Sequence, residues 1–233
     1  MSVLVRDDFL TGIVGRPAFR VALTPQGCDK AIVEAMLAAQ RQPSFFYAKL
    51  PTSSVASVHR LEELGFHVVD TNVTFERSVA GQATPGSARH ARPDDREAVM
   101  ALATNSFAHS RLHLDPAIPR HVADRSRAEW AGNFFAGKRG DHMMISEVDG
   151  GLAGFALLLG PKNGVLTIDL IGVAAPFRRR GIAGTLIAAA GAIAGAQTLR
   201  VGTQIANMPS LRLYETLGFR ITGTQYVLHY HRV

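Results

Sequence analysis

The 233-residue sequence predicts an α/β fold, a mixed sheet with covering helices, on three observations. Two apolar runs have strand length: Leu152–Leu159, flanked by glycines, and Val165–Val173. Stretches of helical period alternate with such runs, for example Ile182, Leu186, Ile187, Ala190 and Ile193. Asp149-Gly150-Gly151 supplies a hairpin signal before the first run.

In chain order, a short strand ends at Ala91-Arg92. Pro93 and Asp94 then open a helix with apolar positions Ala98, Val99, Leu102 and Phe107. A turn-rich stretch, Ser110–Pro119, precedes a helix over Ala123–Ala136 that Gly137 ends. Met143–Val148 and Leu152–Leu159 form the hairpin. Val165–Val173 is nearly continuous in apolar residues, which suits a central strand covered on both faces. A long helix starts near Arg180. Leu199–Ile205 is a strand, Pro209–Leu217 a helix ended by Gly218, and Ile221–His231 a closing strand. Upstream, Ala80–Ser87 is small, polar and rich in glycine and proline turn signals. It divides the chain into a segment 1–80, a linker at 81–88 and a segment 89–233.

Composition narrows the function. No apolar run reaches the roughly 18 residues of a membrane-spanning helix, and the N-terminus lacks the basic-then-apolar plan of a signal peptide. The single cysteine, Cys28, excludes an internal disulfide framework and a thiolate metal cluster, and fits a reducing cytoplasm. A net charge of +6 attracts anions. The basic residues are not interleaved with aromatics as in single-strand binders. The expectation is a small anionic ligand, with no nucleic acid, membrane or metal.

The strongest local signal is the passage from the strand Val165–Val173 through Ala174-Ala175-Pro176 into Arg178-Arg179-Arg180-Gly181-Ile182-Ala183-Gly184. Small residues at 181, 183 and 184 keep side chains away from the backbone where a helix begins. Unpaired amides and the positive dipole end favour an anion such as a pyrophosphate. The arginines add charge and donors. Neither the Gly-Lys-Ser/Thr of a nucleotide-hydrolysing loop nor Gly-x-Gly-x-x-Gly is present. On its own the loop also fits an ordinary strand-turn-helix with a solvated basic corner. Downstream, Leu211, Tyr214 and Leu217 share one helix face. On spacing alone Tyr214 reads as a core phenol with its hydroxyl bonded to backbone.

Leu170 to Gly184 resembles the acetyl-CoA signature of the GNAT superfamily of N-acetyltransferases, Gln/Arg-x-x-Gly-x-Gly/Ala, met by Arg178, Gly181 and Ala183. Asn207, Tyr214, Gly218 and Phe219 match that family's second motif. The resemblance implies a GNAT fold, a mixed and mostly antiparallel sheet, with acetyl-CoA as co-substrate. It implies a CoA site of Ile171, Gly172, Val173, Arg178, Arg179, Arg180, Gly181, Ile182, Ala183, Gly184, Thr185, Asn207 and Tyr214. Tyr214 would protonate the departing thiolate, a role suited to a phenol near pKa ~10. Asp169 is the nearest acidic candidate for a base; the alternative is a strand carboxylate paired with an arginine.

The N-terminal segment carries an echo. Ser57, Glu62, Leu64, Gly65 and Phe66 repeat Ser210, Glu215, Leu217, Gly218 and Phe219 at one constant offset, with Leu61 in place of Tyr214. This reads as a partial, catalytically silent copy of the same unit. The whole plan resembles the TDP-fucosamine (dTDP-4-amino-4,6-dideoxygalactose) acetyltransferase group, through Phe45–Leu50 with Leu64-Gly65-Phe66 and Val69–Phe75, Ser110–Pro116, and Ala128–Asn133 with Asp141-His142. That group implies a homodimer and, as acceptor, the amine of a nucleotide-linked sugar. Arg111, His113, Asp115, Trp130 and Asn133 are the candidate acceptor residues. Their structural alternatives are an Arg111–Asp115 ion pair, a cap at Asp115 and core packing for Trp130. Other amines, or an acetyl-CoA-binding module without turnover, remain alternatives. Cys28 lies outside the 89–233 segment, so direct transfer in a ternary complex is expected rather than an acyl-enzyme.

Overall fold

The computed structural model describes residues 3–23, 28–79 and 88–233; apart from Ala88, the expected linker lies outside them. The first segment supplies β1 (Val3–Arg6), α1 (Asp8–Val14), β2 (Ala18–Ala22), α2 (Lys30–Ala39), β3 (Ser44–Pro51), α3 (Val55–Glu62) and β4 (His67–Ser78). Then follow β5 (Arg89–His90), α4 (Arg96–Ser106), α5 (Arg111–Leu114), α6 (Arg120–Phe135), β6 (His142–Val148), β7 (Gly151–Lys162) and β8 (Val165–Val173). The chain closes with α7 (Ile182–Gly191), β9 (Thr198–Gln204), α8 (Met208–Thr216) and β10 (Arg220–Arg232).

Local chemistry explains the joints. Asp149 (φ 51°) and Gly150 (φ 76°) both take the left-handed conformation that a tight hairpin needs. Asn163-Gly164 does the same between β7 and β8, so β7 runs on to Lys162, past the predicted Leu159. The predicted turn-rich stretch hides the single helical turn α5, which Ser110 caps by accepting from the His113 amide. The helix expected from Ala123 begins already at Arg120, behind Pro119.

Among the described residues, ten strands form one sheet, ordered β1-β2-β3-β10-β4-β9-β8-β7-β6-β5, in which only β2–β3 and β8–β9 pair in parallel. Alternation along the strands loads both faces. Phe46, Ala48 and Leu50 pack with α2 and α3, and Val73, Phe75, Leu166 and Ile168 with α7 and α8. On the opposite face Phe45 and Tyr47 meet α1, α5 and the start of α6, while Ile145, Phe155 and Leu170 meet α4 and α6.

The sequence echo is reproduced bond by bond. Gly65 (φ 89°) and Gly218 (φ 79°) both end their helices in the left-handed region. The Gly65 and Phe66 amides donate to the Glu62 and Leu61 carbonyls, as those of Gly218 and Phe219 donate to Glu215 and Tyr214. The following strands then exchange places. β4 pairs with β9, Asn72 opposite Gln204; β10 pairs with β3, with the equivalent Gln225 opposite Pro51. Where β4 meets β10, the ladder ends His67–His229 and Arg220–Glu76 interchange under the same equivalence. The two halves are thus related by a local two-fold axis between β4 and β10.

Candidate functional site

The site begins with a parting of strands. β8 and β9 pair from Val165–Thr198 to Ile168–Val201 and no further, although β8 continues to Val173 and β9 to Gln204. The cause lies on the far edge of β8. Leu158 pairs with Ile168 but Leu157 with Leu170, so Asp169 is an extra residue, a bulge. Bulges bend their strand and break its ladder. From Asp169 to Val173, β8 therefore presents backbone groups with no partner on β9, among the described residues.

At the end of β8 a turn over Ala175–Phe177 leads into the loop. Arg179 (φ 59°) and Gly181 (φ 80°) take left-handed conformations, and a Cβ at Gly181 would meet nothing within 4 Å. Gly181 caps α7 without any side-chain hydrogen bond, and the Thr185 amide is bonded back to the Gly181 carbonyl at 3.0 Å. The amides of Ile182, Ala183 and Gly184 are left with no intrahelical acceptor. Gly154 of β7 lets α7 sit close, since a Cβ there would lie 2.9 Å from the Gly172 carbonyl and 3.0 Å from Ile182. Arg178 turns back: its Nε donates to the Val173 carbonyl at 3.1 Å and Nη2 to that of Ser106 at 3.5 Å. Arg180 lies 5.7 Å from the Phe177 ring, and all three arginines are exposed. The equivalent helix in the N-terminal half, α2, has its first turn occupied by Asp29, which accepts from the Ile32 amide.

Tyr214 stands on α8, 2% exposed, packed against Phe75 and Phe219. Burial alone acts on its hydroxyl, with no hydrogen bond to it among the described residues. Burial pushes the phenol well above its ordinary pKa. The backbone-bonded core tyrosine that spacing alone suggested is therefore not what the structure holds. Asn207 caps α8, accepting from the Ser210 amide, and its Nδ2 donates to Thr203 Oγ1 at 3.2 Å.

Asp169 is fully engaged. Arg139 donates to both oxygens at 2.6 Å, and Trp130 Nε1 to Oδ2 at 2.7 Å. The guanidinium also stacks on Trp130, 4.4 Å from the ring. This is the arginine-paired carboxylate that the sequence left open as the alternative to a base. Asn133 helps deliver Arg139, its carbonyl accepting from the Lys138 and Arg139 amides.

The other acceptor candidates gather beneath α5. Asp115 Oδ2 accepts from His229 Nδ1 (2.6 Å) and His231 Nε2 (2.8 Å), not from Arg111. Burial raises the Asp115 carboxyl, but these bonds and the Ala117 amide outweigh it and hold the group below the usual range. Burial pushes His229 down to about 4. Asp115, His229 and His231 have the spacing of metal ligands. Their outer nitrogens face Arg111 Nη1 (3.2 Å) and Arg16 Nη2 (2.5 Å), so this is a hydrogen-bond network ringed by cations. Arg111 lies over the Tyr47 ring at 4.0 Å. His113 bridges Ser110 and Asp124.

Sequence reasoning missed Lys49, Asp70 and Arg127. Arg127 is half-buried, 5.5 Å from the Phe107 ring and 5.7 Å from the Trp130 ring, its Nε buried without a partner among the described residues. Lys49 was legible as a lysine on the same strand face as the aromatic Phe45 and Tyr47.

Comparison with known proteins bears on the fold and the family. The Acetyltransferase (GNAT) family model matches residues 103–219, from α4 through the loop to Phe219. The chain is 26% identical over 226 residues to the spore coat polysaccharide biosynthesis protein SpsD of Bacillus subtilis, covering 91% of this chain and 75% of that one. It is 28% identical over 187 residues to the dTDP-fucosamine acetyltransferase of Escherichia coli O6:H1, covering 78% and 80%. A GCN5-related N-acetyltransferase structure from Sphaerobacter thermophilus superposes with a TM-score of 0.67 at 13% identity, over 99% of this chain and 76% of that one. One from Kribbella flavida gives 0.62 at 18% identity, over 98% and 88%. The α/β fold expected from the resemblance is the fold observed. No helix among the described residues is long and apolar enough to cross a membrane. With its motifs placed together on that fold, the chain belongs to the GNAT family of acetyltransferases and is an N-acetyltransferase.

Proposed function

We propose that this enzyme moves an acetyl group from acetyl-CoA to the primary amine of a nucleotide-linked amino sugar, by direct attack in a ternary complex. The observation that carries the donor half is the conjunction at the parted strands. One end of the gap leads to the uncapped amides of Ile182, Ala183 and Gly184, and near its other side stands Tyr214, a buried phenol with an unshared hydroxyl. The free edge of β8 between Asp169 and Val173 fits an extended amide-bearing arm, and the helix start fits a pyrophosphate. Ile171 to Val173 would line the arm with Asn207 opposite. Arg178 shapes the loop, while Arg179 and Arg180 add positive charge. Amides near Val173 would stabilise the developing oxyanion. Tyr214 gives its proton to the sulfur as the C–S bond breaks.

The acceptor half rests on the two sugar-related relatives and on the cationic lining of the α5–α6 face, formed by Arg111 and Arg127, which suits a phosphate-bearing acceptor. Trp130 and Asn133, with Asp169, would form the wall nearest the gap, and His113 and Asp115 would hold α5. The first 80 residues are read as a silent copy: Leu61 replaces the phenol and Asp29 fills the start of α2. Cys28 is buried, which fits a reducing cytoplasm, and the group's plan suggests a homodimer. The test is release of the CoA thiol from acetyl-CoA across nucleotide-linked amino sugars, free amines and peptides. Turnover confined to the first class is expected. Turnover with peptides alone would move the assignment to a protein acceptor.

A further inference from the structure

The reaction needs a group to take the acceptor's proton, and Asp169 is already held by Arg139 and Trp130. A second carboxylate lies on the same face of the sheet. Lys49 of β3 and Asp70 of β4 both stand opposite Val227 of β10, so the three form one row across adjacent strands and project to one side. That side carries α5 and α6. Asp70 is only 6% exposed, yet its Oδ1 has no hydrogen-bond partner among the described residues. A buried carboxylate oxygen left unpaired is costly, and in a folded protein it calls for an explanation.

Its position supplies one. The next residue, Thr71, accepts from the Ile205 amide at 2.8 Å, at the point where β9 leaves the sheet toward Asn207 and α8. On the other side of β9, Asp169 marks where β8 bends away. The charge of Arg127 is felt by both carboxylates, Asp70 and Asp169. Gly202 of β9 is exposed in the middle of the ten-stranded sheet, so the floor between β4 and β8 is open.

We propose that Asp70 is the catalytic base: its free oxygen takes a proton from the acceptor ammonium in a pocket roofed by Arg111 and Arg127. The inference rests on acetyl transfer as the reaction. Asp70 accepts one proton from R–NH3+, and the freed lone pair forms the C–N bond. The C–S bond breaks, and sulfur receives the Tyr214 proton. The amide nitrogen's surplus proton restores Tyr214, and Asp70 releases its own to water, so one proton leaves per turnover. Burial pushes the Asp70 carboxyl up to about 6, against the pull of the Thr71 amide, Lys49, Arg111 and Arg127. A base poised there is ionised at neutral pH. Those three cations are the charged groups that act on it from β3, α5 and α6, and they suit an acceptor bearing negative charge.

The test compares wild type, Asp70→Asn and Lys49→Met with the best acceptor from the thiol-release screen, from pH 5 to 9. Asp70→Asn should lower kcat by about 100-fold or more, with acetyl-CoA affinity by calorimetry unchanged. It should also abolish the acidic limb of kcat/KM. Lys49→Met should move that limb to higher pH, because it removes a charge that holds the carboxyl down; a residue with only a structural role would not show this shift. Asp70→Asn with wild-type turnover and the limb intact overturns the assignment. So does parallel loss of acetyl-CoA affinity, which would mark a folding role. A wild-type enzyme that releases no thiol with any amine overturns acetyl transfer itself, and Asp70's role with it.

Discussion

Phe75, on β4, lies against Tyr214 on α8 with ring centroids 5.5 Å apart. The phenol of one half is therefore held by a strand of the other. Arg77, two residues further along β4, donates to the Leu217 carbonyl at 2.8 Å and sits over Phe219 at 5.0 Å, pinning the end of the same helix. The chemistry expected of residues 89–233 depends on the first segment for its geometry.

Tyr214→Phe keeps the shape of the ring and removes only the proton donor. Steady-state thiol release should fall by roughly 10²–10⁴ in kcat, with acetyl-CoA affinity retained. Undiminished turnover would remove the acid role.

Asp169→Asn separates pairing from proton transfer. Arg139 would lose its partner, but its side chain is 36% exposed and reaches water. The cost should stay near 1–2 kcal/mol by chemical denaturation. Turnover should stay within about tenfold of wild type, well above the loss set by removing a base. A larger drop would return Asp169 to candidacy.

Gly181→Ala places a methyl group in open space, so its effect is conformational. Holding alanine at φ 80° costs about 1–2 kcal/mol. Calorimetry should show acetyl-CoA binding weakened about tenfold, the same free energy expressed in Kd, with only a small fall in Tm. Unchanged affinity would mean that the loop tolerates reshaping without losing its ligand.

Stability should fall in acid, beginning well above the carboxylate range. His229 is lowered from 6.5 to about 4 in the folded protein. The unfolded chain therefore binds that proton first, and the stability is present above pH 6.5 and lost as pH falls toward 4. Asp115, also depressed, adds a loss below about pH 4. Asp70 acts in the opposite sense: raised to about 6, it favours the folded state as pH falls from 6 to 4 and so blunts the first loss. The two effects nearly offset each other below about pH 5.5, so the test is the Asp70→Asn variant. Its urea midpoints at pH 7.5, 5.5 and 4.5 should decline in that order and more steeply than those of wild type, and a flat series for the variant would contradict the neutral, buried state of His229.

The loop and α8 were legible because their signals are local. Gly181, Asn207 and Gly218 each act within one turn of chain, and Val165–Val173 has the bounds of the strand found. The bulge at Asp169 was not legible, since it is defined only by the register of β7. Asp70 was hidden for a related reason. Asp70, Asn72 and Thr74 put polar side chains on one face of β4, which lies at the centre of the sheet. No local pattern announces that a polar strand face lines an interior cleft. The partnership of Trp130 with Asp169 spans separate elements, and so appears only once the chain is folded.

The placement of β10 has a consequence for how the molecule is made. It follows the other nine described strands in the chain, and it lies between β3 and β4. Until it docks, β1-β2-β3 and the six strands from β4 to β5 have no ladder joining them, and each presents a bare inner edge. Such edges invite pairing with other chains, and closure of so distant a contact is slow. A nascent chain stalled before Arg220 should therefore be the aggregation-prone species, and a chaperone or a synthetic β10 peptide supplied in trans should keep it in solution.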